Sequence, residues 1–224
     1  MTTAQLDRMA LQMAADAGAE PLFKGVRNPR ARIPFPGAIC SSINEQVVHG
    51  IPSEDTKLRE GDILSIDFGV RLQGYCGDAA VTIPIGNISE DNRRLMDATK
   101  RVLEIAIEKA APAVRWSQVA SQMQRYAESA GFSVVRDFVG HGIGRKMHEE
   151  PKVPNFVSDE LLANDIILTE GMVLAVEPMI NAGTSAVRAL KNGWTVVTKD
   201  GKCSAHFEHT LAIVKGGCEV LTVK

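Results

Sequence analysis

No cysteine in this chain has a partner at C-x-x-C spacing: Cys40, Cys76, Cys203 and Cys218 are scattered, which excludes a zinc or redox site of that pattern. A basic-then-apolar export signal is also missing at the N-terminus, so the four read as reduced thiols that mostly pack. A cysteine protease would need Cys40 or Cys76 partnered with a histidine, a reading set aside here. Long apolar runs are absent, none approaching the ~18 residues of a membrane span. Excess charge is absent as well. The net charge is -2 and the pI about 6.2, which gives no nucleic-acid footprint; the short basic stretch Arg27 to Arg32 (RNPRAR) reads as a solvated loop. No residue-level repeat is present. These absences lead to the expectation of a soluble, cytoplasmic protein with neither a nucleic-acid site nor a membrane attachment. Its 224 residues can bury a full core, as one larger domain or two small packed halves.

What is present is a charge anomaly. Asp67 in DILSIDFG, Asp78 in YCGDAAVTI, Glu177 in MVLAVEPMI and Glu208 in AHFEHTLAI lie in apolar, strand-like segments, together with His141 in FVGHGIG. An unpaired buried carboxylate costs several kcal/mol or becomes protonated. Four need cations, and two divalent ions would neutralise them. One Asp in a strand is more often a bulge or edge residue; four carboxylates with a histidine form the ligand set of a two-metal site, suited to first-row ions.

The coarse element pattern is mixed α/β. Leu6, Met9, Ala10, Met13 and Ala17 recur at helical spacing over Thr3 to Ala17, with Gly18 as the stop, and the methionines Met9, Met13 and Met123 are expected in the core. A loop with five prolines or glycines runs from Gly25 to Gly37, then a strand from Ala38 to Ile43 and a turn presenting His49. Strands Ile63 to Val70 and Tyr75 to Ile83 form a hairpin about Leu72-Gln73-Gly74, which lets Asp67 and Asp78 converge. Ser89 caps a helix with Glu90 and Asp91 in its first turn and Leu95, Val102 and Ala106 as its stripe; a second runs from Ser117 to Ala130. Phe132 to Arg136 is a short strand. The glycines around His141 permit close backbone approach and unusual dihedrals, and Pro178 after Glu177 marks an edge or bulge. A last hairpin is expected from WTVVT through Lys199-Asp200-Gly201-Lys202 into CSAHFEHTLAIV, with His206 and Glu208 on one face and Phe207 and His209 on the other.

Asp67 and Asp78 with ten residues between them, GHGIGRKMHEEP (Gly140 to Pro151), EPMINAG (Glu177 to Gly183) and SAHFEHT (Ser204 to Thr210) together resemble a type I methionine aminopeptidase, over nearly the whole chain. The resemblance implies a pita-bread α/β (α+β) fold, with pseudo-two-fold related halves and a central antiparallel curved sheet. It implies removal of the initiator methionine from nascent polypeptides whose second residue is small, through hydroxide activated by two divalent cations (Co, Mn, Fe or Zn). By motif, Asp67 would chelate one metal, Asp78 and Glu208 would bridge, and His141 and Glu177 would complete the other. Glu177 could also pass the water's proton to the leaving amine. His49 (VVHGIP) and His148 (KMHEEP) would bond the substrate backbone. Phe35, Cys40, Met147 and Trp194 would form the methionine pocket. The family is commonly monomeric, and its resemblance leaves ribosome association open.

Some positions depart from the family pattern. Residues 1–224 read as a single catalytic domain, but Met1 stands where the family has Val in G-V-T-T-A-x-L-D, so the natural protein is expected to be longer by an upstream helix. The K-G-Y segment reads Lys24-Gly25-Val26, which removes a pocket tyrosine, and the following loop is longer and basic. Cys76 fills a variable position expected at the rim of the site. His206 and His209 match no family ligand and are expected in hydrogen-bonded structural roles. The alternatives are a proline-specific peptidase of the same fold, which would carry a large N-terminal domain, and a non-catalytic binding homologue, which would lose ligands.

Overall fold

The computed structural model describes residues 1–223. It opens with α1 (Thr3–Asp16), closed at its N-terminus by a capping box in which the Thr2 hydroxyl accepts from the Gln5 amide and the Gln5 side chain accepts from the Thr2 N–H. Within the apolar stripe of α1, Leu6 and Ala10 are half-buried, but the methionines do not face the core. Met9 is 52% and Met13 68% exposed, whereas the buried positions are Thr3 and Ala14. Asp7 accepts from the backbone N–H groups of Ala38 and Ile39 at 2.6 and 3.1 Å, so a polar face docks the helix. Periodicity identifies an apolar face without saying what covers it, and the expectation of a core role fails for Met9 and Met13. Met123 is fully buried, as expected.

After β1 (Glu20–Pro21) the chain crosses to β2 (Cys40–Ile43), β3 (Gln46–Val48), β4 (Ile63–Leu72) and β5 (Tyr75–Pro84). Gln73 and Gly74 both take positive φ, 52° and 85°, the geometry of a two-residue hairpin turn whose twist matches that of the strands. β4 is flanked by β5 on one edge and by β1 and β2 on the other. Next come α2 (Glu90–Lys109), with the Ser89 hydroxyl accepting from the Asn92 N–H, and α3 (Trp116–Ser129). Leu95, Val102 and Ala106 of α2 join Val119, Met123 and Ala127 of α3 in the main core. Trp116 is wholly buried there, and its indole N–H is satisfied by the Pro154 carbonyl at 2.7 Å.

The second half adds β6 (Ser133–Val134), β7 (Gly140–Gly142), β8 (Glu149–Val153), α4 (Asp159–Ala163), β9 (Val173–Val176), β10 (Met179–Asn181), β11 (Val187–Ala189), β12 (Val196–Thr198), β13 (Ser204–His206), β14 (His209–Val214) and β15 (Gly217–Val220). They form ladders in the orders β15-β14-β9-β7-β8, β13-β10-β6 and β11-β12-β3, all antiparallel. The last expected hairpin does not form. β12 pairs with β11 and β3, while β13 pairs with β10. Asp200 and Gly201 do make a turn, Asp200 accepting from the Lys202 and Thr184 N–H groups, but the strands it joins diverge into different sheets. Turn chemistry is local; strand pairing is decided by what each strand buries.

Two strands expected to be continuous are broken. Glu177 and Pro178 separate β9 from β10, and Phe207 and Glu208 separate β13 from β14. At the second break Glu208 makes an isolated antiparallel bridge with Ala80 of β5, which joins the two halves of the molecule. Both glutamates of interest therefore sit at interruptions of the sheets.

Candidate metal centre

The hairpin register brings the two aspartates to one face. Asp67 lies opposite Ala80, and Asp78 opposite Gly69, so the two are diagonal neighbours on the same side of β4 and β5. Gly69 leaves room between them: a Cβ there would stand 3.2 Å from Asp78 Oδ1 and 2.9 Å from both Met147 Cε and Phe23 Cε1. His141 arrives from β7, whose backbone is pressed against its neighbours. A Cβ on Gly140 would lie 2.2 Å from the Ala175 carbonyl oxygen. Close approach, as expected, explains this glycine; the unusual dihedrals do not occur, because Gly140, Gly142 and Gly144 are not among the positive-φ residues.

His141 Nδ1 donates to the Gly142 carbonyl at 2.9 Å, which leaves the Nε2 lone pair turned to the carboxylates. Its Nε2 lies 3.7 Å from Glu177 Oε1. Glu208, 2% exposed, is held by backbone bonds to Ala80 in both directions at 2.9 and 3.3 Å. Ligand atoms of Asp78, His141 and Glu208 all lie within 4.8 Å of one another. Asp67 and Glu177 stand outside that tight trio but line the same cavity.

The electrostatics show what the trio and its flanks require. Removal from water, followed by the charges of their neighbours, holds Asp67, Glu177 and Glu208 well above the usual carboxylate range. Burial pushes Asp78 up to about 7. Asp67 Oδ1, Asp78 Oδ1 and Glu208 Oε1 are buried with no hydrogen-bond partner. Orphaned carboxylate oxygens converging beside a bare imidazole nitrogen are the donor set of hard to borderline divalent cations, and the residues fit such ions.

The same cavity, of about 130 Å³, is also lined by Phe35, Cys40, Met147 and Trp194, the four expected pocket residues, and Cys40 stands directly opposite Asp67 across β2 and β4. Phe35 meets Trp194 edge to face at 5.2 Å, and the Trp194 indole N–H donates to the Ile33 carbonyl at 3.0 Å. Phe23 and Val26 also line it and were missed; their only sequence signal is their place beside Lys24-Gly25. Cys76 is buried against Ile143 and Ala175, behind the cavity wall rather than at its rim. Loop 27–32 closes over the Trp194 turn, with the Asn28 amide donating to the Gly193 carbonyl at 2.9 Å.

His49 and His148 line the same cavity, His49 edge-on to Trp194 at 6.4 Å. His49 has a φ of 57°, unusual for a residue with a side chain, and stands edge-on to Phe138 at 5.6 Å. Burial, then the charge of His148, lowers its pKa to about 4. His148 sits at the mouth, its ring 4.4 Å from that of His141, and its pKa is lowered by desolvation. His209 bonds Thr222 Oγ1 at 2.8 Å, as a structural histidine should. His206 departs from expectation: its Nε2 is buried without a partner, 4.0 Å from Glu177 Oε2.

The family model for metallopeptidase family M24 matches residues 1–215. The chain belongs to that family. As an M24 member it is a metal-dependent hydrolase. It is 48% identical to a methionine aminopeptidase of Clostridium perfringens over 223 residues, covering 100% of this chain and 86% of that protein. Methionine aminopeptidase 1 of Bacillus subtilis is 45% identical over 222 residues, 99% of this chain and 86% of the relative. The crystal structure of methionine aminopeptidase from Thermotoga maritima superposes with a TM-score of 0.93 at 40% identity, over 100% of this chain and 86% of the other. A prolidase from Thermococcus sibiricus, at TM-score 0.72 and 21% identity over 99% of this chain and 51% of that one, shares the fold alone. The M24 pita-bread architecture is thus the architecture of this chain, with its antiparallel strands divided among separate ladders. Among the described residues no helix is long and apolar enough to cross a membrane.

Proposed function

We propose that this protein is a methionyl aminopeptidase that removes the initiator methionine from nascent polypeptides when the second residue is small. The observation that carries the reading is one shared cavity: Phe35, Cys40, Met147 and Trp194 line it together with the carboxylates, His141, His49 and His148. An unbranched thioether suits the soft and aromatic groups among them, which pack it without a polar partner. The N-terminal residue enters side chain first, and the rest of the polypeptide leaves past His148 at the mouth.

Asp67, Asp78, His141, Glu177 and Glu208 would hold two divalent cations; Co, Mn, Fe and Zn all suit the donor set. Bound there, such ions supply Lewis acidity and lower the pKa of water from 15.7 towards about 7. His49 and His148, kept neutral by burial at neutral pH, are available as hydrogen-bond donors to the substrate backbone. His148 is set to stabilise the scissile carbonyl as charge develops on its oxygen. Glu177, whose proton affinity is raised by its surroundings, is suited to accept a proton and return it to the leaving amine. The reading makes the enzyme a monomer acting in the cytoplasm. Release of methionine from Met-Ala-Ser, set against cleavage of Gly-Pro and Xaa-Pro peptides by the metal-loaded protein, tests it. Preference for the proline peptides would overturn it.

A further inference from the structure

Glu177 lies between two imidazoles, and only one of them has a role in the site described above. Its Oε1 faces His141 Nε2 at 3.7 Å, while Oε2 faces His206 Nε2 at 4.0 Å. His206 is 2% exposed, and its Nε2 has no hydrogen-bond partner. A buried N–H or lone pair left unpaired costs roughly 1–3 kcal/mol, so a buried histidine aimed at a carboxylate invites a functional explanation.

The aim of the ring is built into the backbone. His206 ends β13, opposite Met179 at the start of β10. The His206 N–H donates to Thr82 Oγ1, and the Thr82 hydroxyl donates back to the His206 carbonyl, both at 2.8 Å. Ser65 Oγ, 2.8 Å from Thr82 Oγ1, completes this anchor on β4 and β5. Glu177 is anchored from the other side, where the Asn155 amide donates to its carbonyl at 3.1 Å. Pro178 follows it and offers no N–H. Both partners therefore have anchored backbones. A movement of about 1 Å brings the two atoms to hydrogen-bond distance.

We propose that His206 is a positioning residue for Glu177: its Nε2–H holds Oε2, so that Oε1 is the oxygen presented beside His141 to the cations. The inference rests on the reading of Glu177 as a cation ligand. A neutral imidazole with its proton on Nε2 is the form this role needs. Outer partners of this kind orient a ligand and typically change metal affinity by about 10–100-fold when removed.

The test compares the parent with His206→Phe, His206→Leu and His206→Gln, each stripped and then titrated with Mn²⁺ by calorimetry, with kcat/KM for Met-Ala-Ser followed across pH. The glutamine amide places an N–H near the position of Nε2. Loss of the donor in the Phe or Leu variant should weaken Mn²⁺ binding about 10–100-fold and displace the acid limb of the kcat/KM profile. The Gln variant should recover both to within about threefold, a recovery that a merely space-filling role would not produce. Leu serves where the larger ring of Phe prevents folding. Parent-like Mn²⁺ affinity in a folded Phe or Leu variant overturns the proposal. So does a Gln variant as impaired as the apolar ones, which would point to direct ligation by the imidazole. A parent that neither binds Mn²⁺ nor cleaves Met-Ala-Ser defeats the reading of the whole site, and is thereby distinguished from failure of His206 alone.

Discussion

Stripping the divalent cations should make this protein lose stability as pH rises above neutrality. Asp67, Glu177 and Glu208 have folded-state pKa values well above their unfolded ones, and Asp78 is raised to about 7. In the metal-free state the folded cluster thus binds more protons than the unfolded chain, and stability must fall with pH until the folded pKa values are passed. The histidines act in the opposite sense. His49 and His206, lowered to about 4 and 3, add stability as pH rises through the acid range. His141, His148 and His209, also lowered by desolvation, act in the same sense. The effect is nearly complete only about one unit above the ordinary pKa of about 6.5, so the carboxylates are read cleanly above about pH 7.5. If the folded cluster retains a single proton that the unfolded chain has lost, the slope is about 1.36 kcal/mol per pH unit, or about 3 kcal/mol from about pH 7.5 to 9.5. For a domain of this size that lowers the melting midpoint by roughly 6–12 °C. Denaturation midpoints of chelator-treated and Mn²⁺-loaded protein across this window provide the assay. The loaded form should lack the slope, because cations replace the protons. A metal-free midpoint that stays level or rises with pH would refute the argument.

Other outcomes follow from the same geometry. Asp78→Ala and Glu208→Ala should each abolish turnover of Met-Ala-Ser and lower the bound-metal stoichiometry measured by elemental analysis; full turnover by Asp78→Ala would defeat the ligand assignment. His148→Ala should lower kcat by roughly 10²–10³ with the stoichiometry unchanged, and a loss of metal instead would make it a ligand. Gly140→Ala should reduce both stability and metal binding, since its Cβ would meet the Ala175 carbonyl oxygen at 2.2 Å and push β7, with His141, away from β9; a well-folded variant with parental metal affinity would show that the strand tolerates the shift.

Much of the site was legible because its parts obey local rules. A hairpin about Leu72-Gln73-Gly74 could be read from the chain, but a three-residue turn there would put Asp67 and Asp78 on opposite faces. The pairing of Leu72 with Tyr75, which shortens the turn to Gln73-Gly74, is what puts both on one face. Ser89 and the stripe Leu95, Val102 and Ala106 behave as helix capping and periodicity require. The pocket residues Phe35, Cys40, Met147 and Trp194 came only from family resemblance; they lie on separate segments, and nothing in their spacing implies that they meet.

The failures share a physical cause. Asp200-Gly201 makes its turn, yet the flanking strands pair elsewhere because burial against β3 and β10 outweighs adjacency in the chain. Met9 and Met13 satisfy helical periodicity, but Asp7 and Ala14 face the body of the protein. His206 illustrates the limit most sharply. Its residue type and its place two positions before Glu208 can be read from the chain, but alternation along one strand cannot say that its Nε2 meets Glu177, which arrives from another segment through a sheet break at Pro178. Residue order determines which donors and charges exist and which neighbours along a strand share a face. Only the packing of distant segments, through long-range pairings such as the Ala80–Glu208 bridge, decides which of those donors meet and which carboxylates are left for cations to neutralise.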